Sequence, residues 1–263
     1  MKYDIIFLDG LLPRHISHSF LSYLFSIVSV LENKHYNFKI LSLNTLSDYS
    51  MSGLIKELLN HDFSTIGMTT NAENIRFVYE LCRVIKKEFP SVLIILGGPE
   101  VTYSDEKVLK ESYCDIIVRH EGENKLVKIL HGIRKGDLDL STIPGITYRK
   151  GNEIFKNEDD IQLNINELLI PQYRILADRK YWIIPRHSSY KDFDTFLKKV
   201  RSGNLYFSTS RGCPNKCLFC VEGNKKGYTF RNVENVERDL DYFIQSTNTN
   251  YIVSIRKLLI FSV

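Results

Sequence analysis

The sequence predicts an α/β protein: a doubly wound, parallel five-stranded sheet in the first half, then a second strand–helix–strand unit. Three observations carry that expectation. Short aliphatic and β-branched runs alternate with amphipathic helical stretches from residue 3 to about residue 134. Those runs show too little polar alternation for a solvent-facing sheet, as expected of parallel strands covered on both faces. A second strand–loop–helix–strand succession then begins at Leu205.

The expected strands of the first half are Tyr3–Leu8, Phe38–Leu43, Thr65–Met68, Val92–Leu96 and Asp115–Val118. Helical spacing predicts Phe20–Leu31, Met51–Leu59, Ala72–Phe89, Ser104–Glu111 and Asn124–Arg134 between and after them. The third helix carries Ile75, Val78, Tyr79, Cys82, Ile85 and Phe89 on one face and stops at Pro90. Such an order is Rossmann-like or flavodoxin-like. Next, Ile143–Arg149 and Asn152–Phe155 flank Lys150-Gly151, a β-hairpin signal. Residues 157–204 have poor periodicity, and Trp182 in that stretch reads as a packing anchor. Leu205–Ser210 is the next expected strand, Tyr228–Arg231 leads to a helix over Val233–Gln245, and Tyr251–Ile255 is the strand after it. The domains therefore read as 1–140, a connector over 141–203, and 204–263.

The chain has 263 residues, 43% of them hydrophobic and 25% charged, an ordinary globular composition. Its net charge of +4 is small and spread out, so no basic stripe argues for nucleic acid. The 15 Tyr and 15 Phe read as packing residues rather than base-stacking platforms. No apolar run reaches the length of a signal peptide core or a membrane span.

In a doubly wound sheet, ligands bind outside the carboxyl ends of the strands. The third strand there runs into Thr69, Thr70 and Asn71, and the fourth into Gly97, Gly98 and Pro99. The fifth runs into Arg119 and His120, then Glu121, Gly122 and Glu123. Each loop alone also reads as a helix cap or a turn. No Gly-x-Gly-x-x-Gly follows the first strand, where Asp9-Gly10 stands, which argues against NAD or FAD.

Cys213, Cys217 and Cys220 lie within eight residues, spaced Cys-x3-Cys-x2-Cys with Phe219 before the last. A disulfide would strand one thiol, and a structural zinc site lacks a fourth ligand downstream. Three thiolates on a four-iron cluster would leave one iron open. Cys82, on a helix face, and Cys114, beside a strand, read as buried, inert thiols.

The cysteine spacing resembles the signature of the radical S-adenosylmethionine (SAM) enzymes. That resemblance implies a 4Fe-4S cluster on Cys213, Cys217 and Cys220, SAM chelated at the open iron, and Phe219 beside SAM. With the three loops upstream, residues 1 to about 245 resemble the cobalamin-binding subgroup of that family. By this resemblance Thr69, Thr70 and Asn71 line the corrin and nucleotide tail. Gly97, Gly98 and Pro99 lie beneath the ring or tail, and Glu121, Gly122 and Glu123 stand across the pocket. The Asp-x-His-x-x-Gly motif that supplies a lower cobalt ligand in other cobalamin domains is absent; His15 and His18 read as loop or helix-start residues.

The resemblance implies C-methyl transfer to an unactivated carbon of a small-molecule or peptide substrate, with an external electron donor of flavodoxin or ferredoxin type. A cytoplasmic location suits an oxygen-sensitive cluster. The resemblance also implies the start of a radical SAM partial (β/α) barrel from Leu205, its first strand; only 59 residues follow Asn204 as far as Val263, where such a barrel needs about six βα units. The barrel therefore reads as C-terminally truncated, and the alternative expectation is an inactive remnant that keeps cobalamin or cluster binding.

Overall fold

The computed structural model describes residues 2–11, 21–46, 50–160, 164–167, 175, 178–183, 205–212, 215, 217–218, 228–247 and 252–255. Strands β1 (Ile5–Asp9), β2 (Phe38–Ser42), β3 (Thr65–Thr69), β4 (Leu93–Gly97) and β5 (Ile116–Val118) alternate with α1 (Leu21–Asn33), α2 (Met51–Leu58), α3 (Ile75–Glu88), α4 (Pro99–Glu111) and α5 (Glu123–Lys135). The hairpin β6 (Ile146–Lys150) and β7 (Glu153–Lys156) follows. It extends the same sheet, giving seven strands in the order β2-β1-β3-β4-β5-β6-β7. The first five are parallel, and β6 and β7 add antiparallel. The sequence direction reverses between β1 and β3, which is the switch point where such sheets bind ligands.

The apolar runs divide by strand alternation between two cores. Ile5, Phe7, Phe38, Ile40, Ile95 and Ile116 face α1 and α5, with Val28, Leu31, Leu126 and Ile129. Ile6, Leu8, Leu41, Ile66, Met68, Ile94 and Ile117 face α2, α3 and α4, with Leu54, Leu58, Val78, Leu81 and Val108. Covering both faces is why every strand is apolar at consecutive positions. Cys82 and Cys114 are buried in the second core, and burial pushes both thiols up, Cys114 to about 12. Both therefore stay protonated.

Helix α4 starts five residues before the expected Ser104. Pro99 is pre-organised for a first helical turn, and the Thr102 and Ser104 hydroxyls donate to the Gly98 and Glu100 carbonyls. Ser104 itself is non-helical (φ −124°, ψ 23°), so the helix is kinked where the apolar periodicity restarts. At the far side of the sheet, Ile183 N–H donates to the Ile40 carbonyl at 2.8 Å, and the buried Trp182 donates its Nε1–H to the Ile175 carbonyl. Trp182 is a packing anchor.

The later strands are β8 (Leu205–Ser208), β9 (Ser210–Gly212), β10 (Tyr228–Phe230) and β11 (Ile252–Ile255), with α6 (Val233–Thr247) before the last. β8 and β11 pair in parallel across α6, and β9 and β10 pair antiparallel. His15, His18, Cys213, Phe219 and Cys220 lie outside the described residues. Among the described residues, no helix is long and apolar enough to cross a membrane.

One buried cation ties the hairpin to the sheet. Arg119, 2% exposed, donates from Nη1 to Asp105 Oδ2 (3.3 Å), the Ile146 carbonyl (2.8 Å) and Thr147. Its Nε reaches Asp159 at 3.0 Å. Burial opposes ionisation of Asp105, but hydrogen bonds from Thr147 and Lys156 and the Lys156 charge outweigh it and hold the carboxyl low. Removing one partner of such a pair leaves a buried charge uncompensated. Arg119→Ala is expected to lose about 3–5 kcal/mol of stability, measured as a lower urea midpoint at unchanged slope. A loss under ~1 kcal/mol would show the network to be peripheral.

Candidate cofactor-binding edge

The carboxyl ends of β3, β4 and β5 lie side by side, and a hydrogen-bond chain joins their loops. Thr70 donates both its N–H and its hydroxyl to the Gly97 carbonyl, each at 2.8 Å. The Gly98 carbonyl accepts from the Thr102 hydroxyl at 2.9 Å, and that hydroxyl accepts from His120 N–H at 3.2 Å. Backbone donors and acceptors freed where the strands end are thereby satisfied across the edge.

This chain assigns different tasks to neighbouring residues. Thr70 is fully buried, and its hydroxyl is committed to Gly97. The Asn71 side-chain carbonyl accepts from the Glu73 and Asn74 amides, while Asn74 accepts from Asn71 N–H and donates to the Thr69 carbonyl. These reciprocal bonds form a turn ahead of α3, which starts at Ile75 rather than at Ala72, with Asn74 at its N-cap position. Thr69 is half-buried, and its hydroxyl makes no hydrogen bond among the described residues.

The two glycines also differ. Gly98 has φ +105°, and a Cβ there would sit 2.3 Å from the Thr70 carbonyl oxygen. A Cβ on Gly97 would meet only the Val118 carbonyl at 3.8 Å. Gly98 is demanded by the backbone; Gly97 leaves open space at the edge. Pro99 is the exposed first residue of α4.

Glu121, Gly122 and Glu123 open α5, and their carboxylates are already engaged. Glu123, 3% exposed, accepts from the Ser26 hydroxyl on α1 at 2.7 Å and from Arg211 Nη2 at 2.6 Å. Arg211 Nη1 pairs with Glu121, and Nη2 also reaches Ser26 Oγ at 3.1 Å. Burial would raise the Glu123 carboxyl, but the Arg211 charge and hydrogen bonds hold it below its usual range. Burial likewise opposes the Arg211 charge, and the Glu123 and Glu121 charges overcome it and push the guanidinium up. Arg211 is 88 residues from Glu123 and 90 from Glu121, so local pattern does not pair them. Its only advance signal was two acidic residues flanking a glycine at a strand's carboxyl end.

Asp9 closes β1 at the same edge and is buried. Burial pushes its carboxyl up to about 6, against hydrogen bonds from Gly10 N–H and the Ser42 side chain. Of the cysteine motif, Cys217 is described and exposed. Among the described residues, no group of three or more His, Cys, Asp or Glu side chains is gathered to hold a metal.

Comparison with known proteins agrees with this arrangement. Residues 23–130 match the B12 binding domain family model. An uncharacterized methyltransferase, PH0819, of Pyrococcus horikoshii is 28% identical over 227 residues, covering 84% of this chain and 44% of the relative. The cobalamin-dependent radical SAM methyltransferase TokK of Streptomyces tokunonensis is 26% identical, covering 65% of this chain and 24% of the relative. The cobalamin-dependent radical SAM enzyme OxsB, solved with aqua-cobalamin and S-adenosylmethionine, superposes with a TM-score of 0.69 at 20% identity, over 94% of this chain and 32% of that one. The chain thus spans less than half the length of these proteins. Residues 23–130 are similar to a B12 binding domain, and the chain is similar to relatives that include a cobalamin-dependent radical SAM methyltransferase.

Two outcomes follow from the edge. Gly98→Ala is expected to cost about 2–4 kcal/mol, from a positive φ and a backbone clash, read as a lower thermal midpoint. The folded-state pKa of Asp9 lies above the ordinary 3.8, so stability falls as pH rises from there to about 6. Asp9→Asn is therefore expected to be more stable than wild type by up to about 3 kcal/mol above pH ~6, with the gain gone near pH 4. A gain independent of pH would refute the buried-carboxylate account.

Proposed function

We propose that this chain, built on its B12-binding domain, supplies the cobalamin site and the cluster-bearing first βα unit for methyl transfer to an unactivated carbon. One observation carries the reading: Arg211, two residues before Cys213, is ion-paired to the same strand edge on which the B12-binding domain presents its ligand loops. The match to relatives that are methyltransferases supports the reaction class, and the OxsB likeness supports the fold on which it runs.

The residues fit a corrin. A broad flat ring needs backbone that it can approach without meeting a side chain, and the open face of Gly97 offers that. In this reading Gly97, Gly98 and Pro99 lie beneath ring or tail. Thr69 offers a free hydroxyl, whereas Thr70 and Asn71 contribute mainly by holding the loop. Gly122 lines the opposite wall, with Glu121 and Glu123 flanking it. Cys213, Cys217 and Cys220 hold the 4Fe-4S cluster, and Phe219 lies beside SAM. The domains divide at 1–140, 141–203 and 204–263. When bound, the cluster with SAM supplies a 5′-deoxyadenosyl radical and cobalamin supplies the methyl group. The substrate is a small molecule or peptide, and a flavodoxin- or ferredoxin-type donor delivers the electron.

Anaerobic reconstitution with iron and sulfide is expected to give about four irons per chain with a broad charge-transfer absorption, both lost in Cys213→Ala. One zinc and no cluster would overturn the metal assignment. Gly97→Ala is the sharper test of the corrin site. It is expected to leave the thermal midpoint unchanged and to weaken hydroxocobalamin binding about tenfold or more, at least ~1.4 kcal/mol. Unchanged affinity, or no corrinoid bound by the folded wild type, would sink the site. Formation of 5′-deoxyadenosine from SAM then separates an active chain from one that only binds.

A further inference from the structure

The carboxylates of Glu121 and Glu123 are spent on a group from the other half of the protein. Glu123 is almost completely buried, and its oxygens are taken by Ser26 and Arg211. Arg211 in turn distributes its two terminal nitrogens over Glu121, Glu123 and Ser26. These partners come from α1 and from the loop opening α5, the two helices that cover one face of the sheet. α1 also lies against β8. A planar guanidinium can bridge two carboxylates with fixed geometry, which an ammonium cannot reproduce.

We propose that Arg211 is a positioning residue that docks the cysteine-bearing strand onto the carboxyl edge of the B12-binding domain, with Glu121 and Glu123 as its receptor. Only two peptide units separate Arg211 from Cys213, so covalent geometry keeps their Cα atoms within about 7 Å. Fixing the guanidinium therefore fixes where the cysteine loop begins. A second anchor holds the far end of the hairpin: Arg231 Nη1 donates to the Ile165 carbonyl at 2.9 Å, and Asn232 N–H to Asn166 Oδ1 at 2.8 Å. That anchor engages the connector, whereas Arg211 engages the strand edge that carries the ligand loops. Glu121 and Glu123 act on the cofactor edge through Arg211 rather than by touching a ligand. The functional meaning of this docking rests on the cobalamin reading; the docking itself does not.

Hydrogen exchange on the full chain without cofactors tests it. In Arg211→Ala, exchange of 205–212 and 228–230 is expected to rise about tenfold or more while β3 and β4 keep their protection. Arg211→Lys should recover only part of that protection. Glu121→Gln, at a partly exposed site that tolerates the change, should raise exchange of 205–212 in the wild-type background. It should add nothing in the Arg211→Ala background, because the two share one interaction. Additive effects, an unchanged 205–212 segment, or loosening spread evenly through β1–β5 would each overturn the proposal. Corrinoid titration of the same variants reads the cobalamin site separately, so failure of one reading is not mistaken for failure of the other.

Discussion

A parallel sheet covered on both faces sends each β-to-α connection out at one edge, and this constraint organises the chain. The apolar faces of five short strands require helices on either side, and right-handed crossovers then place every loop that follows a strand at the carboxyl end. Polar residues in those loops cannot retreat into the core, so they must satisfy one another or a ligand. Here they mostly satisfy one another. Thr70 with Gly97, Thr102 with Gly98 and His120, and the paired caps of Asn71 and Asn74 leave a stiff rim. Among the described residues, the face of Gly97 stays open on that rim.

The strands and helices of the first half were legible because local pattern and tertiary demand agree. Consecutive apolar residues and Pro90 after α3 each state a backbone preference that the fold honours. The hairpin, by contrast, turns one residue later than expected, at Gly151 and Asn152, with Lys150 paired to Glu153. The helix starts were less legible. α4 begins at Pro99, which is pre-organised for a first helical turn, and the kink at Ser104 interrupts the helical period. α3 begins late because the Asn71 and Asn74 side chains hold residues 71–74 in a turn ahead of it. That the hairpin extends the sheet depends on Arg119 reaching Asp105, Thr147 and Asp159 from other elements, a long-range fact invisible to spacing.

The candidate site was legible as a set of loops but not as a division of labour. Sequence reasoning could place Thr69 to Asn71, Gly97 to Pro99 and Glu121 to Glu123 at one edge, because topology alone does so. It could not tell which of them are consumed by the fold. Thr70 and Glu123 are buried and bonded, whereas Gly97 faces open space. Two adjacent glycines with identical chemistry have opposite reasons to exist, and only the positive φ of Gly98 and the nearby Thr70 carbonyl separate them.

The strip of chain around Trp182 has a consequence for association. A strand edge with unpaired amides and carbonyls is a template for another chain. β2 lies at one border of the sheet, and Ile183 donates to its Ile40 carbonyl, so part of that border is already capped from within. At the other border β7 is four residues long and carries Glu153 and Lys156. Short, charged or pre-occupied borders discourage lateral addition of foreign strands. Both borders of the seven-stranded sheet thus disfavour sideways growth, which leaves the ends of its strands as the place for chemistry.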